Sequence, residues 1–285
     1  MEMALKDPAV SAIIVFGFDA NILPYEDAIR QSGKKLFFEG PGQDPFIVFA
    51  DADMELALED LIDAKFMMSG KTCTAPKRIF IQAEVYDTFL DAVVERVKRL
   101  VVGDPADART DVAPVASLVA VERIKAQLKE TAERGAEVIA GGRIQGRLVE
   151  PTVVKNATDD MLGMREEVFG PVLFTTSFHT AAEVPCRARN HKYGLRAAVF
   201  GGGEAASVAQ AIAGEPYCHQ VPSDTFGRFG TVAYNQTRSE SWRGALITKP
   251  IGGYGYSGWI WETDPRGFRL KQSPKLFSLE TTKPA

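Results

Sequence analysis

The chain has 285 residues, is 45% hydrophobic and 25% charged, and carries a formal net charge of −4. That length can bury a sizeable core, the interspersed charges give no broad basic face for nucleic acid or acidic lipid, and no apolar run reaches the roughly eighteen residues that span a bilayer. Its three cysteines, irregularly spaced, form neither a disulfide framework nor a metal-ligand pattern, and the first residues lack the form of a secretory signal, so a cytoplasmic location is expected.

Residues 12–18 are apolar and predict a buried strand. Residues 25–32 read as a helix stopped by Gly33, and residues 36–38 as a second strand running into Glu39. A strand over 46–49 precedes a helix over 53–68, whose Leu58, Leu61, Ile62 and Phe66 recur at helical spacing. The small-residue break 70–76 follows, then a strand over 78–82. Helices over 84–101 and 115–134 come next, the first with Phe89, Val93, Val97 and Leu100 inward, the second with Leu118, Val121, Ile124 and Leu128. Strands over 138–140, 149–154, 172–176, 197–200 and 230–235 are interleaved with helices over 181–190 and 205–213. This alternation predicts an α/β fold with a mainly parallel sheet and helices on both faces.

Two short stretches carry candidate chemistry. Cys73 lies in Gly70-Lys71-Thr72-Cys73-Thr74-Ala75-Pro76, among small residues rather than inside an apolar segment. Lys71 and Lys77 are close in sequence, which favours a thiolate and makes Cys73 the expected most reactive thiol. On local evidence alone a structural or incidental cysteine is the better reading. Glu39 ends an apolar run and opens the turn Gly40-Pro41-Gly42; it is either a crevice carboxylate or a solvated turn acid.

Two further stretches are Glu166-Glu167-Val168-Phe169-Gly170-Pro171 and Pro250-Ile251-Gly252-Gly253-Tyr254-Gly255-Tyr256-Ser257-Gly258. In this order and spacing, the four together resemble the aldehyde dehydrogenase superfamily, whose patterns are Glu-Leu-Gly-Gly-Lys, Gly-Gln-x-Cys, Glu-Glu-x-Phe-Gly-Pro and Pro-Phe-Gly-Gly-x-x-x-Ser-Gly. The resemblance implies an oxidoreductase that oxidises an aldehyde to a carboxylic acid through a cysteine thiohemiacetal and thioester, using NAD or NADP. It implies Cys73 as nucleophile, Glu39 as general base, Glu167 and Phe169 at the nicotinamide ribose and ring, and Asn235 near the substrate pocket. No metal is implied.

The same resemblance divides the chain into a remnant of the dinucleotide-binding domain (1–42), a catalytic domain (43–268) and an oligomerisation tail (269–285). About the first two hundred residues of the family architecture have no counterpart here, by usual domain lengths. The expected partners are therefore a small aldehyde and either a second copy of the chain or a complementing N-terminal half. Residues 214–229 look like an added loop; its adjacent Cys218 and His219 point to opposite sides of an extended chain and make a poor catalytic pair. Gly201-Gly202-Gly203 reads as a plain loop. Three departures stand out: Pro41 removes a backbone donor from the turn, Gln43 replaces the family lysine, and Lys71 replaces the family glutamine. Two other readings stay open: a cysteine-dependent ester or thioester hydrolase, and an inactive relative with a structural role.

Overall fold

The computed structural model describes residues 1–213, 229–236, 254–255, 257–264, 267–272 and 279–281, with backbone alone at 254–255, 259–264, 267–272 and 279–281. An eight-stranded sheet organises the molecule. Its order is Leu279–Thr281, Thr231–Tyr234, Arg196–Phe200, Asp44–Val48, Pro76–Gln82, Val172–Phe178, Thr152–Lys155 and Glu137–Ala140. Every pairing is parallel except the last, where Glu137–Ala140 runs against Thr152–Lys155.

Helices cover both faces, so each central strand is buried on both sides and reads as an unbroken apolar run. Alternate residues divide between two cores. Ile47, Phe80, Phe174 and Val199 face Val121, Ile124, Val208 and Ile212 from helices Leu118–Glu133 and Gly203–Ala213. Phe46, Val48, Ile79, Ile81 and Phe200 face Leu58, Leu61, Phe66, Phe89 and Val93 from helices Met54–Phe66 and Tyr86–Val97. The rings of Phe46 and Phe200 stack at 4.9 Å across neighbouring strands. Each fully buried side chain of this size contributes about 1.5–3 kcal/mol.

A second, four-stranded sheet has the order Ala12–Phe16, Lys35–Glu39, Gly258–Asp264 and Gly267–Gln272. The first pair is parallel and the rest antiparallel. Helix Glu26–Ser32 joins the first pair and ends at Gly33, whose φ of 67° is the left-handed stop expected there. Leu5, Ile22, Ile29, Leu36 and Phe38 form the small core on one face. The chain thus crosses from the small sheet to the large one between Glu39 and Asp44.

Several expectations need correction. Residues 12–18 do not form a buried strand: Ala12–Phe16 is an edge strand whose outward residues Ile14 and Phe16 are 65% and 78% exposed, because the small core covers one face alone. Leu118 opens its helix at 63% exposure, while Gln127 and Thr131 lie inside, so the inward face is rotated from the one expected. The run 149–154 is two strands, Leu148–Val149 and Thr152–Lys155, broken at Pro151. Leu279–Thr281, within the stretch 269–285, pairs in parallel with Thr231–Tyr234, which leaves the expectation of an oligomerisation tail untouched. Residues 214–228, with Cys218 and His219, lie outside the described residues.

Candidate active site

The parallel strands share one direction, so their N-terminal ends lie along one edge of the sheet. The turn Gly40–Gln43 enters Asp44–Val48, the cysteine loop enters Pro76–Gln82, and residues 166–171 enter Val172–Phe178. The three loops therefore meet, and the backbone itself makes the contacts.

The cysteine loop has an unusual approach. Helix Met54–Phe66 starts on Asp53, whose carboxylate accepts from Leu56 N at 3.1 Å, and runs into a tight turn. Met68, Ser69 and Gly70 then follow one another in the left-handed region, at φ 50°, 61° and 70°. Ser69 Oγ accepts from Ala113 N at 2.8 Å and holds the turn down. A Cβ added to Gly70 would lie 2.3 Å from the Gly170 carbonyl oxygen, so glycine is required on grounds of space as well as φ.

The glycine turn is tied on three sides. Gly42 N donates to Glu167 Oε1 at 3.1 Å, and Gly40 N to Ser257 O at 2.8 Å. Ser257 Oγ donates to Pro41 O and accepts from Gly194 N, so the fourth stretch latches the first. A Cβ on Gly42 would lie 2.3 Å from the Cys73 carbonyl oxygen. Gln43, in place of the family lysine, donates to Gly163 O at 2.6 Å and accepts from Val168 N at 3.3 Å. Arg78 Nε donates to Gln43 O at 2.8 Å; burial lowers its pKa to about 10. Pro41 does remove a donor, and the two donors left in the turn are used inside the chain.

Electrostatics differ from the expectation of an activated thiol. Cys73 is half-buried, and desolvation pushes its pKa up. Lys77 opposes that rise, whereas Asp44, Glu167 and Glu39 reinforce it. Lys71 does not face the thiol: its Nζ donates to Pro114 O at 2.9 Å. Glu39, at the end of its strand, is raised to about 7 by desolvation. That value suits a carboxylate that exchanges protons at neutral pH.

Glu167 points inward rather than into open space. It is 7% exposed, and its Oε1 takes both Gly42 N and Lys77 Nζ, the latter at 3.4 Å. Phe169 meets the ring of Phe18 edge-on at 6.3 Å, and the Arg123 guanidinium lies 4.3 Å over Phe18. A cavity of about 260 Å³ opens here, lined by Phe18, Ser117, Arg123, Glu167 and Phe169. Phe18 and Arg123 were not anticipated: nothing near either in sequence signals a contact across a hundred residues.

Asn235 is not at this site. Tyr234 is level with Val199, Val199 with Ile47 and Ile47 with Phe80, which puts Asn235 at the C-terminal ends of strands whose N-terminal ends carry Cys73. There, at φ 48°, its amide accepts from Gly201 N and donates to Gly201 O. The same contacts dispose of Gly201–Gly203 as a phosphate turn. Gly202 N is capped by Asp51 at 2.9 Å, so a carboxylate already occupies the start of helix Gly203–Ala213. Among the described residues another glycine, Gly17, turns strand Ala12–Phe16 into the short helix Asp19–Ile22 beside Phe18.

The fold and the meeting of these segments define a class: an α/β scaffold with a cysteine loop, a glycine turn and a Glu-Glu-Val-Phe-Gly-Pro loop at one sheet edge. The chain belongs to the aldehyde dehydrogenase family, whose sequence pattern matches residues 5–267. It is 41% identical over 167 residues to a sulfoacetaldehyde dehydrogenase of Neptuniibacter caesariensis, a match covering 59% of this chain and 37% of that protein. It is 40% identical over 178 residues to human retinal dehydrogenase 2, covering 61% and 34%. Among solved structures, betaine aldehyde dehydrogenase from Staphylococcus aureus in complex with NAD+ superposes with a TM-score of 0.75 at 27% identity, over 94% of this chain and 49% of that one. An oxidoreductase from Marinobacter aquaeolei gives 0.79 at 30% identity, over 90% and 50%. The match thus spans about a third of the curated relatives and half of the solved ones. No helix among the described residues is long and apolar enough to cross a membrane.

Proposed function

We propose that this chain carries the nucleophile and the base of an aldehyde dehydrogenase, oxidising an aldehyde to a carboxylic acid through a thioester on Cys73. The observation that carries this reading is the packing of the turn that follows Glu39 against the cysteine loop, where Gly42 leaves no room for a side chain beside the Cys73 carbonyl, with Glu39 raised to about 7 by burial. The Cys73 sulfur adds to the aldehyde carbon and forms a thiohemiacetal. After the carbon is oxidised, Glu39 takes a proton from water, the water oxygen attacks the thioester, and the sulfur leaves as the acid is released. NAD or NADP is the hydride acceptor of this reading. Phe169 and Glu167 border a cavity of a size to suit its nicotinamide end, and the described residues supply no step beyond that.

A second reading, a cysteine-dependent ester or thioester hydrolase, is favoured by one observation. The groups that hydrolysis needs, Cys73 and Glu39, are both within the described residues, and that chemistry calls for no hydride acceptor. The cytoplasm, a small aldehyde as substrate, and assembly either into a homo-oligomer or with a complementing N-terminal half belong to the same proposal. Mixing the chain with 4-nitrophenyl acetate and mapping its peptides by mass tests both readings. An acetyl group on Cys73 is expected; turnover with none there removes Cys73 from either mechanism. Reduction of NAD+ or NADP+ by an added aldehyde then separates dehydrogenase from hydrolase.

A further inference from the structure

Two lysines are fully buried beside the cysteine loop, and the thiol mechanism uses neither. Lys77, four residues after Cys73, turns back under the loop. Its Nζ donates to the carbonyls of Thr72 and Cys73 and lies 3.4 Å from Glu167 Oε1. Both side chains of this ion pair are almost wholly out of solvent, at 0% and 4% exposure. Lys65, in the last turn of helix Met54–Phe66, is also at 0%, and its Nζ has no hydrogen-bond partner.

We propose that Lys77 is the positioning residue of the Cys73 nucleophile: its ammonium clamps the Thr72 and Cys73 carbonyls, orients the loop, and sets positive charge against the thiol. This rests on the reading of Cys73 as the nucleophile. The charged groups that act on the thiol are Lys77, Asp44, Glu167 and Glu39; of these Lys77 alone favours the thiolate. The clamp also joins two loops, because Glu167 receives Lys77 and Gly42 N together. A free lysine at the surface would lose this geometry to side-chain entropy, whereas here packing fixes it. Lys65 does not duplicate the role. Burial and the nearby Lys77 both push it toward the neutral amine, with Glu167 opposing. A second ammonium is thereby kept out of a space where it would compete for the same carboxylate.

The test is the pH profile of Cys73 alkylation by iodoacetamide, read by peptide mass. The midpoint reports the charge around the thiol, and the alkaline plateau, where the thiol is fully ionised, reports its position and access. Lys77→Gln keeps a donor for the carbonyls but removes the charge. It is expected to raise the midpoint by about one pH unit, a tenfold slower reaction on the rising limb, with the plateau kept. Lys77→Met removes both and is expected to change the plateau as well. Lys65→Met is expected to leave midpoint and plateau in place. A midpoint unmoved in folded Lys77→Gln overturns the proposal, as does an equal shift from Lys65→Met. Should neither Lys77→Gln nor Lys77→Met melt cooperatively, Lys77→Arg decides: it keeps the charge, but its planar fork cannot reproduce the clamp on the Thr72 and Cys73 carbonyls. The midpoint is then expected to hold while the plateau changes, and an unmoved plateau overturns the proposal. The nucleophile assignment fails separately, by absence of the acetyl adduct, so the two failures are distinguishable.

Discussion

Gly70 and Gly170, a hundred residues apart in sequence, touch backbone to backbone, with room for no side chain on Gly70. The contact joins the cysteine loop to the loop that carries Glu167 and Phe169. It explains why the first loop ends in glycine at φ 70°.

Gly70→Ala should therefore cost more than a left-handed alanine, about 1–2 kcal/mol, since the backbone must also move. A fall in melting temperature of several degrees is expected, together with faster proteolysis around residues 68–75. A melting temperature within one degree of the parent would mean that the loop relaxes freely and that the contact does not position Cys73.

Met68 offers the opposite case. It is 62% exposed and sits at φ 50°, so it carries left-handed strain with little burial in return. Met68→Asn should stabilise the chain by about 0.5–1 kcal/mol, because asparagine tolerates this region. A urea melt with a raised midpoint and unchanged slope is the expected result; a lowered midpoint would show that the exposed methionine makes a contact worth keeping.

The large sheet was legible because strands covered on both faces are continuous apolar runs, such as Phe46–Phe49 and Ile79–Ile81. The meeting of the four stretches was legible as a resemblance, but not its contacts. Nothing in the sequence marks Ser257 as a latch for Pro41, and charged side chains such as Lys65 and Lys77 are ordinarily placed at the surface. Asn235 entered by resemblance alone, and its distance from Cys73 is set by strand register, which the sequence does not carry. Ile14 and Phe16 were misread because an apolar run does not reveal whether one face or two will be covered.

The thiol should behave as a buried one. With desolvation and three carboxylates holding its pKa up, Cys73 should react slowly with iodoacetamide at pH 7, behind the exposed Cys186. Raising the pH should close the gap, and the rate at Cys73 should still be climbing at pH 9. A rate at Cys73 that levels off below pH 8 would show that the loop lowers the thiol pKa, in the sense the sequence suggested.

Glu39→Gln separates catalysis from stability. Thioester formation needs the Cys73 sulfur alone, so the variant should still give a burst of nitrophenolate from 4-nitrophenyl acetate. The steady rate that follows should drop by about 10²–10⁴-fold, the usual contribution of a general base. Loss of the burst itself would mean that Glu39 activates the thiol. The stability effect has a definite sign. The carboxyl rises from 4.5 to about 7 on folding, so the folded chain holds its proton more tightly. That contribution is full below pH 4.5 and is lost as pH rises through about 7. Wild type and Glu39→Gln should thus melt at similar temperatures at pH 4.5, and Glu39→Gln should melt higher at pH 8, where the wild type carries a half-buried charge. Equal melting temperatures at both values would place the carboxylate in water and remove the basis for its role as a base.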